Sequence, residues 1–126
     1  MADSLERLYE AVVDLKKGDP ARSRTTRLIR AGRSKIAKKL GEEAVEVVID
    51  AMQGDREAVV RESADLLYNL VVLWVSTGVR PQDVWAEMHR RETLFGIAEK
   101  IPKELPANAT RRKVVALETR RAHKRR

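Results

Sequence analysis

Lys38–Val75 reads KKLGEEAVEVVIDAMQGDREAVVRESADLLYNLVVLWV, and this stretch decides the fold. Two apolar helical runs are joined across Gln53-Gly54-Asp55, residue types that break helices and start them. Each run carries carboxylates three residues apart: Glu43 and Glu46, with Glu42 just before them, and then Glu62 and Asp65. Carboxylates in such greasy sequence are costly to bury unless something positive sits between them. A hard divalent cation is the simplest candidate, and it points to phosphate chemistry.

Projected at about 100° per residue, residues 35–53 form a helix with a broad apolar arc that includes Ile36, Leu40, Val45, Val48 and Met52. Glu42, Glu43, Glu46 and Asp50 fall together in the remaining sector, with Lys35 and Lys39 one to two turns earlier. The arc predicts a helix buried on more than one side. In the next helix Glu62, Asp65 and Asn69 share a narrow sector, while LLYNLVVLWV is apolar nearly all round, as expected at the centre of a bundle. Antiparallel pairing of the two stripes would make a pocket of four carboxylates. Oxygen-only ligands of that kind suit Mg²⁺ or Mn²⁺ rather than zinc. A glutamate run alone is ordinarily a solvated face, and Lys39 with Glu43 alone reads as a helical ion pair worth a few tenths of a kcal/mol. The second pair, in a segment too apolar to be such a face, makes the combination specific.

Outward from this hairpin, the chain predicts five helices and no strand. Asp3-x-x-Glu6 resembles a capping box opening a helix to about Lys17, with Leu5, Leu8, Val12 and Leu15 on one face. Gly18-Asp19-Pro20 ends it, and a short helix follows over about Ser23–Arg30. Ser34 is expected to cap the acidic helix and Asp55 the next, which runs to Thr77-Gly78. Pro81 fits a first-turn position of a last helix ending near Thr93. There is no internal repeat, no zinc motif and no phosphate-cradling GxxxxGK[ST] loop, so a bound triphosphate would be held through metal and side chains. His89 and His123 have no neighbouring ligands in sequence and read as surface histidines.

At 126 residues the chain is one domain with little core to spare. The apolar second helix is more than one small monomer can cover, so a homodimer completing the bundle is expected. With no cysteine, no signal-like opening and no apolar run long enough to span a bilayer, the expected setting is cytoplasmic, without membrane. Charge is uneven. RRKVVALETRRAHKRR, residues 111–126, carries the whole net charge of +7 and leaves eighteen basic and eighteen acidic side chains in residues 1–110. Residues 105–126 therefore read as a basic tail behind Pro102 and Pro106, and residues 1–104 as the folded domain. The tail has no aromatic residue to stack on bases, so nucleic acid is expected to bind it only non-specifically.

Glu42-Glu43-x-x-Glu46, fifteen residues, then Glu62-x-x-Asp65 resembles the EExxE…ExxD signature of the all-α, MazG-like nucleoside triphosphate pyrophosphatases. GxxKIxKKxGEEAxE from Gly32 to Glu46 and ESADLLY from Glu62 to Tyr68 are similar to the phosphoribosyl-ATP pyrophosphatases of histidine biosynthesis. Thr25, Leu28, the VLxxxxG run from Val72 to Gly78 and GIAEK from Gly96 add to the likeness, which covers roughly residues 1–104. The resemblance implies a small nucleotide substrate, 1-(5-phosphoribosyl)-ATP, hydrolysed between its α and β phosphates. Glu43, Glu46, Glu62 and Asp65, the pairs three residues apart that converge, are the expected ligands of Mg²⁺ or Mn²⁺, with Glu42 at the stripe edge orienting or activating the attacking water and Glu46 also expected to be catalytic. Lys35 and Lys39 would contact phosphates, with Arg24, Arg27 and Asn69 as further substrate contacts. Two positions depart from the family pattern: Arg24 stands where a tyrosine is usual, and Asn69 follows Tyr68 where a histidine is usual. These departures keep one alternative in view, a related pyrophosphatase for another nucleoside triphosphate; the basic tail keeps a second, a non-catalytic basic helical module binding nucleic acid or a protein, against which the intact carboxylate set argues.

Overall fold

The computed structural model describes residues 2–95, which form five α-helices: α1 (Ala2–Leu15), α2 (Arg24–Ala31), α3 (Arg33–Met52), α4 (Arg56–Thr77) and α5 (Pro81–Phe95). GIAEK, His123 and the basic tail lie outside the described residues. By its contacts the chain divides into two compact units, Met1–Val84 and Trp85–Arg126. Everything that positions the site is in the first. In the second, Glu87 accepts hydrogen bonds from Arg90 and Arg91, whose guanidinium groups hold its carboxyl down at about 2.

Local chemistry accounts for most helix ends. Ser23 caps α2 by accepting from the Thr26 N–H at 3.0 Å, and Asp55 caps α4 by accepting from the Ala58 N–H at 3.1 Å. Gly78, at φ 79° and ψ 19°, adopts the left-handed conformation that closes α4, and Val79 N–H returns to the Trp74 carbonyl at 2.9 Å. α3 begins differently from expectation. Ser34 lies inside the helix, and Gly32 alone separates α2 from α3; its φ of 103° makes the corner that a capping serine was expected to make. α1 likewise starts at Ala2, so Asp3 lies within the helix rather than ahead of it.

α3 and α4 are the central hairpin, folded back across Gln53-Gly54-Asp55, with α1 and α2 laid against it. The core is small: Val12 of α1, Ile36 of α3, and Val71, Val72, Trp74 and Val75 of α4, with Leu5, Leu8, Leu28 and Ile29 packed at its edge. α4 is thus the buried centre that its composition predicts. α3 is not buried on more than one side by this chain. Ile36 is its sole fully buried residue, whereas Val45 is 55%, Val48 59% and Met52 82% exposed, as is Val60 of α4 at 57%.

The α1–α2 connection depends on space as well as on turn chemistry. Thr26 is fully buried and donates its hydroxyl to the Leu15 carbonyl at 2.7 Å. A Cβ added at Gly18 would stand 2.7 Å from the Thr26 Oγ1 and 3.2 Å from that same carbonyl oxygen. Gly18→Ala is therefore expected to cost about 1–3 kcal/mol, lowering the thermal midpoint by roughly 4–8 °C per kcal/mol in a domain of this size. Thermal unfolding followed by circular dichroism checks this, and an unchanged midpoint would show that the turn relaxes freely.

Candidate active site

The α3–α4 hairpin brings the two acidic pairs to one place. Ile36 shares the core with Val71 and Val72; seven residues further along α3, Glu43 meets Glu62 and Asp65, which lie six to ten residues back along α4, as antiparallel pairing requires. One carboxylate oxygen from each of Glu43, Glu62 and Asp65 lies within 4.8 Å of the others. Three negative charges so close repel one another. Glu62 is held above the usual carboxylate range, first by a hydrogen bond with the Glu43 carboxyl, then by burial and by the charges of Glu43, Asp65 and Asp50. A set of hard oxygen donors this close together suits a divalent ion such as Mg²⁺.

This direction carries a sign. A carboxyl raised in the folded state contributes stability that is present below its unfolded value and lost as pH rises through the folded one. In metal-free protein the Glu62 carboxyl carbon is thus expected to titrate above the ordinary carboxylate midpoint, and Glu43→Gln is expected to bring it down. An unshifted midpoint by NMR would separate the two carboxyls.

Beside the cluster opens a cleft of about 890 Å³, within the range of roughly 300–1,000 Å³ common for small-molecule sites. α3 lines it with Lys35, Lys39, Glu42 and Glu43, α4 with Asp65, Tyr68 and Asn69, and α2 with Arg24, Thr25 and Arg27. Lys39 approaches Glu43 at 3.7 Å, the helical ion pair expected from the sequence. Arg27 donates through Nη1 to the Pro20 carbonyl at 2.7 Å. Glu46, one turn beyond Glu43, is exposed and is not among the converging carboxylates, so three of the four expected ligands are brought together. Glu42 is exposed on the cleft wall beside Glu43.

The two positions that depart from the family pattern face the same cleft and flank a single hydrogen bond. The Thr25 hydroxyl of α2 is bonded to the Tyr68 hydroxyl of α4. Arg24 precedes one partner and Asn69 follows the other. Asn69 is 2% exposed; its Nδ2 donates to the Asp65 carbonyl at 2.8 Å, and its Oδ1 has no partner among the described residues. Sequence reading did not give Tyr68 a role. The available signal was its spacing: Tyr68 lies three residues after Asp65, on the acidic side of α4. His89 is exposed, as expected of a surface histidine.

Residues 5–92 match the phosphoribosyl-ATP pyrophosphohydrolase family. The chain is 64% identical to phosphoribosyl-ATP pyrophosphatase 2 of Rhodopseudomonas palustris, over 100% of both chains. It is 63% identical to the protein of that name from Bradyrhizobium diazoefficiens, over 99% of both. Phosphoribosyl-ATP pyrophosphatase of Gluconobacter oxydans is 53% identical, across 79% of this chain and 77% of its own.

Proposed function

This chain belongs to the phosphoribosyl-ATP pyrophosphohydrolase family, and we propose on that footing that it hydrolyses 1-(5-phosphoribosyl)-ATP to 1-(5-phosphoribosyl)-AMP and pyrophosphate, the second step of histidine biosynthesis. The observation that carries the chemistry is the convergence of Glu43, Glu62 and Asp65 at the edge of a cleft large enough for a nucleotide. These three residues, with Glu46 as the fourth, would hold Mg²⁺ or Mn²⁺. When bound, the ion offsets the charge of a triphosphate that bare carboxylates would repel and stabilises the negative charge developing on the leaving pyrophosphate.

The chain's own residues do the rest. Lys39, already paired with Glu43, and Lys35 one turn earlier approach the phosphates. Glu42, on the cleft wall beside the cluster, orients the attacking water and accepts its proton as oxygen adds to phosphorus. The bond to the bridging oxygen breaks, and pyrophosphate leaves with its electron pair. Asn69 contacts the substrate from the floor of the cleft.

The exposed valines and Met52 on α3, with Val60 on α4, support a homodimer in which a second copy covers this stripe. Among the described residues no helix is long and apolar enough to cross a membrane, and the absence of cysteine suits a reducing cytoplasm.

Pyrophosphate release in Mg²⁺, from phosphoribosyl-ATP beside a panel of ordinary and modified nucleoside triphosphates, tests the assignment. Turnover confined to phosphoribosyl-ATP is the expected result. Preference for another nucleotide would move the chain to a different substrate with the same chemistry.

A further inference from the structure

The cleft is bipolar. Its carboxylates have their own cation, Lys39, in addition to any metal, whereas Arg24, Arg27 and Lys35 have no ion pair among the described residues. On α2, Arg24 and Arg27 stand three residues apart and both line the cleft, the spacing that places side chains next to each other on a helix. α2 has no acidic residue in its first turn. Arg24 makes no hydrogen bond or ion pair among the described residues, and neither does Lys35. Arg27 is steadied by the Pro20 carbonyl, which occupies one of its five donors. The Thr25–Tyr68 hydrogen bond ties the backbone beside Arg24 to α4 one turn from Asp65. Along α3, Lys35 and Glu43 are eight residues apart, a rise of about 12 Å. A lining that runs this far along α3 leaves room for a metal-bound polyphosphate at the carboxylates and for a separate anion beside it.

We propose that Arg24, with Arg27 behind it, is a second phosphate subsite, and that it selects a nucleotide carrying phosphate at both ends. An ordinary nucleoside triphosphate presents an uncharged base to that end of the cleft. Phosphoribosyl-ATP presents there the 5′-phosphate of the ribose attached to the adenine ring. A guanidinium offers the paired donors that match a phosphate face, which a tyrosine at this position would not. The subsite rests on the substrate assigned above and adds the residue that distinguishes it from ATP.

Equilibrium binding of 1-(5-phosphoribosyl)-AMP and of AMP to the full chain, by titration calorimetry, separates the subsite from the reaction. Wild type is expected to bind the phosphoribosyl compound more tightly. Arg24→Gln is expected to weaken that ligand by about 10–100-fold, the loss typical of a charge-assisted contact, and to leave AMP binding where it was. Arg24→Lys should recover part of the loss, and with phosphoribosyl-ATP as substrate the Gln variant should lose more in KM than in kcat. Arg24 is exposed and has no partner among the described residues, so the substitution carries no expected loss of folding. Equal weakening of both ligands, or of neither, overturns the subsite. Wild-type discrimination without turnover of phosphoribosyl-ATP would overturn the reaction assigned above and keep the subsite.

Discussion

Glu62→Gln is expected to abolish pyrophosphate release from phosphoribosyl-ATP while leaving the chain folded. Glu62 is one of three carboxylates whose oxygens come within 4.8 Å of one another, and it alone is hydrogen-bonded to Glu43 in a way that raises its proton affinity. As a proposed ligand, Glu62 contributes a donor that its replacement would remove rather than adjust. The rate should therefore fall by more than the roughly 10–100-fold that substitutions in the outer sphere of metal sites cause. Stability should move the other way. At neutral pH the substitution removes a charge that its neighbours repel, so the metal-free variant should melt no lower than wild type. The difference should shrink as acidification protonates Glu62 in wild type, the sign that a raised carboxyl demands. Mg²⁺ is expected to raise the thermal midpoint of wild type and to leave that of the variant where it was. A variant with an undiminished rate would place the reaction elsewhere.

The hairpin that carries this cluster is legible from residues 38–75 because two periodic signals coincide there: apolar residues at helical spacing, and acids three apart within them. Caps at Ser23 and Asp55 are legible for the same local reason, since one side chain satisfies one backbone donor. Ser34 misleads because its residue type suits a cap, but the corner is made one step earlier by a glycine with positive φ. Tertiary partners are not written locally. Tyr68 meets Thr25 from forty-three positions away, and no periodicity along one helix reveals what the facing helix offers. Glu46 shows the complementary limit. Its spacing from Glu43 places it on the acidic face, but whether its oxygens reach the cluster depends on how far α3 turns against α4.

The largest loss of stability is expected from Ile36→Ala. Ile36 is fully buried and is the sole residue of α3 in the core cluster, set among Val71, Val72 and Val12 from two other helices. Truncating a buried isoleucine costs about 2–5 kcal/mol, because the cavity adds to the lost transfer energy. Small domains commonly have a total stability of only about 5–15 kcal/mol, and this core has few other residues to take up the slack. In urea the midpoint should fall with an unchanged slope. The same truncation at Met52, which is 82% exposed, should cost far less in the isolated chain. Equal losses at the two positions would mean that α3 is packed in solution on the face that this chain leaves open.

The manner in which α2 is attached has a kinetic consequence. Its only buried residues are Thr25 and Thr26, which are held by hydroxyl bonds to Tyr68 and to the Leu15 carbonyl, and Leu28 and Ile29 are only half-covered. α4, by contrast, buries four large apolar side chains. An eight-residue helix tied down by two hydroxyls should breathe as a unit well before the hairpin does. Its amide protons should exchange with solvent ahead of those of α4, and each opening takes Arg24 and Arg27 away from a carboxylate cluster that stays assembled. A nucleotide that touches α2 as well as the carboxylate cluster is expected to slow that exchange, and part of its binding energy would then be spent on quieting α2.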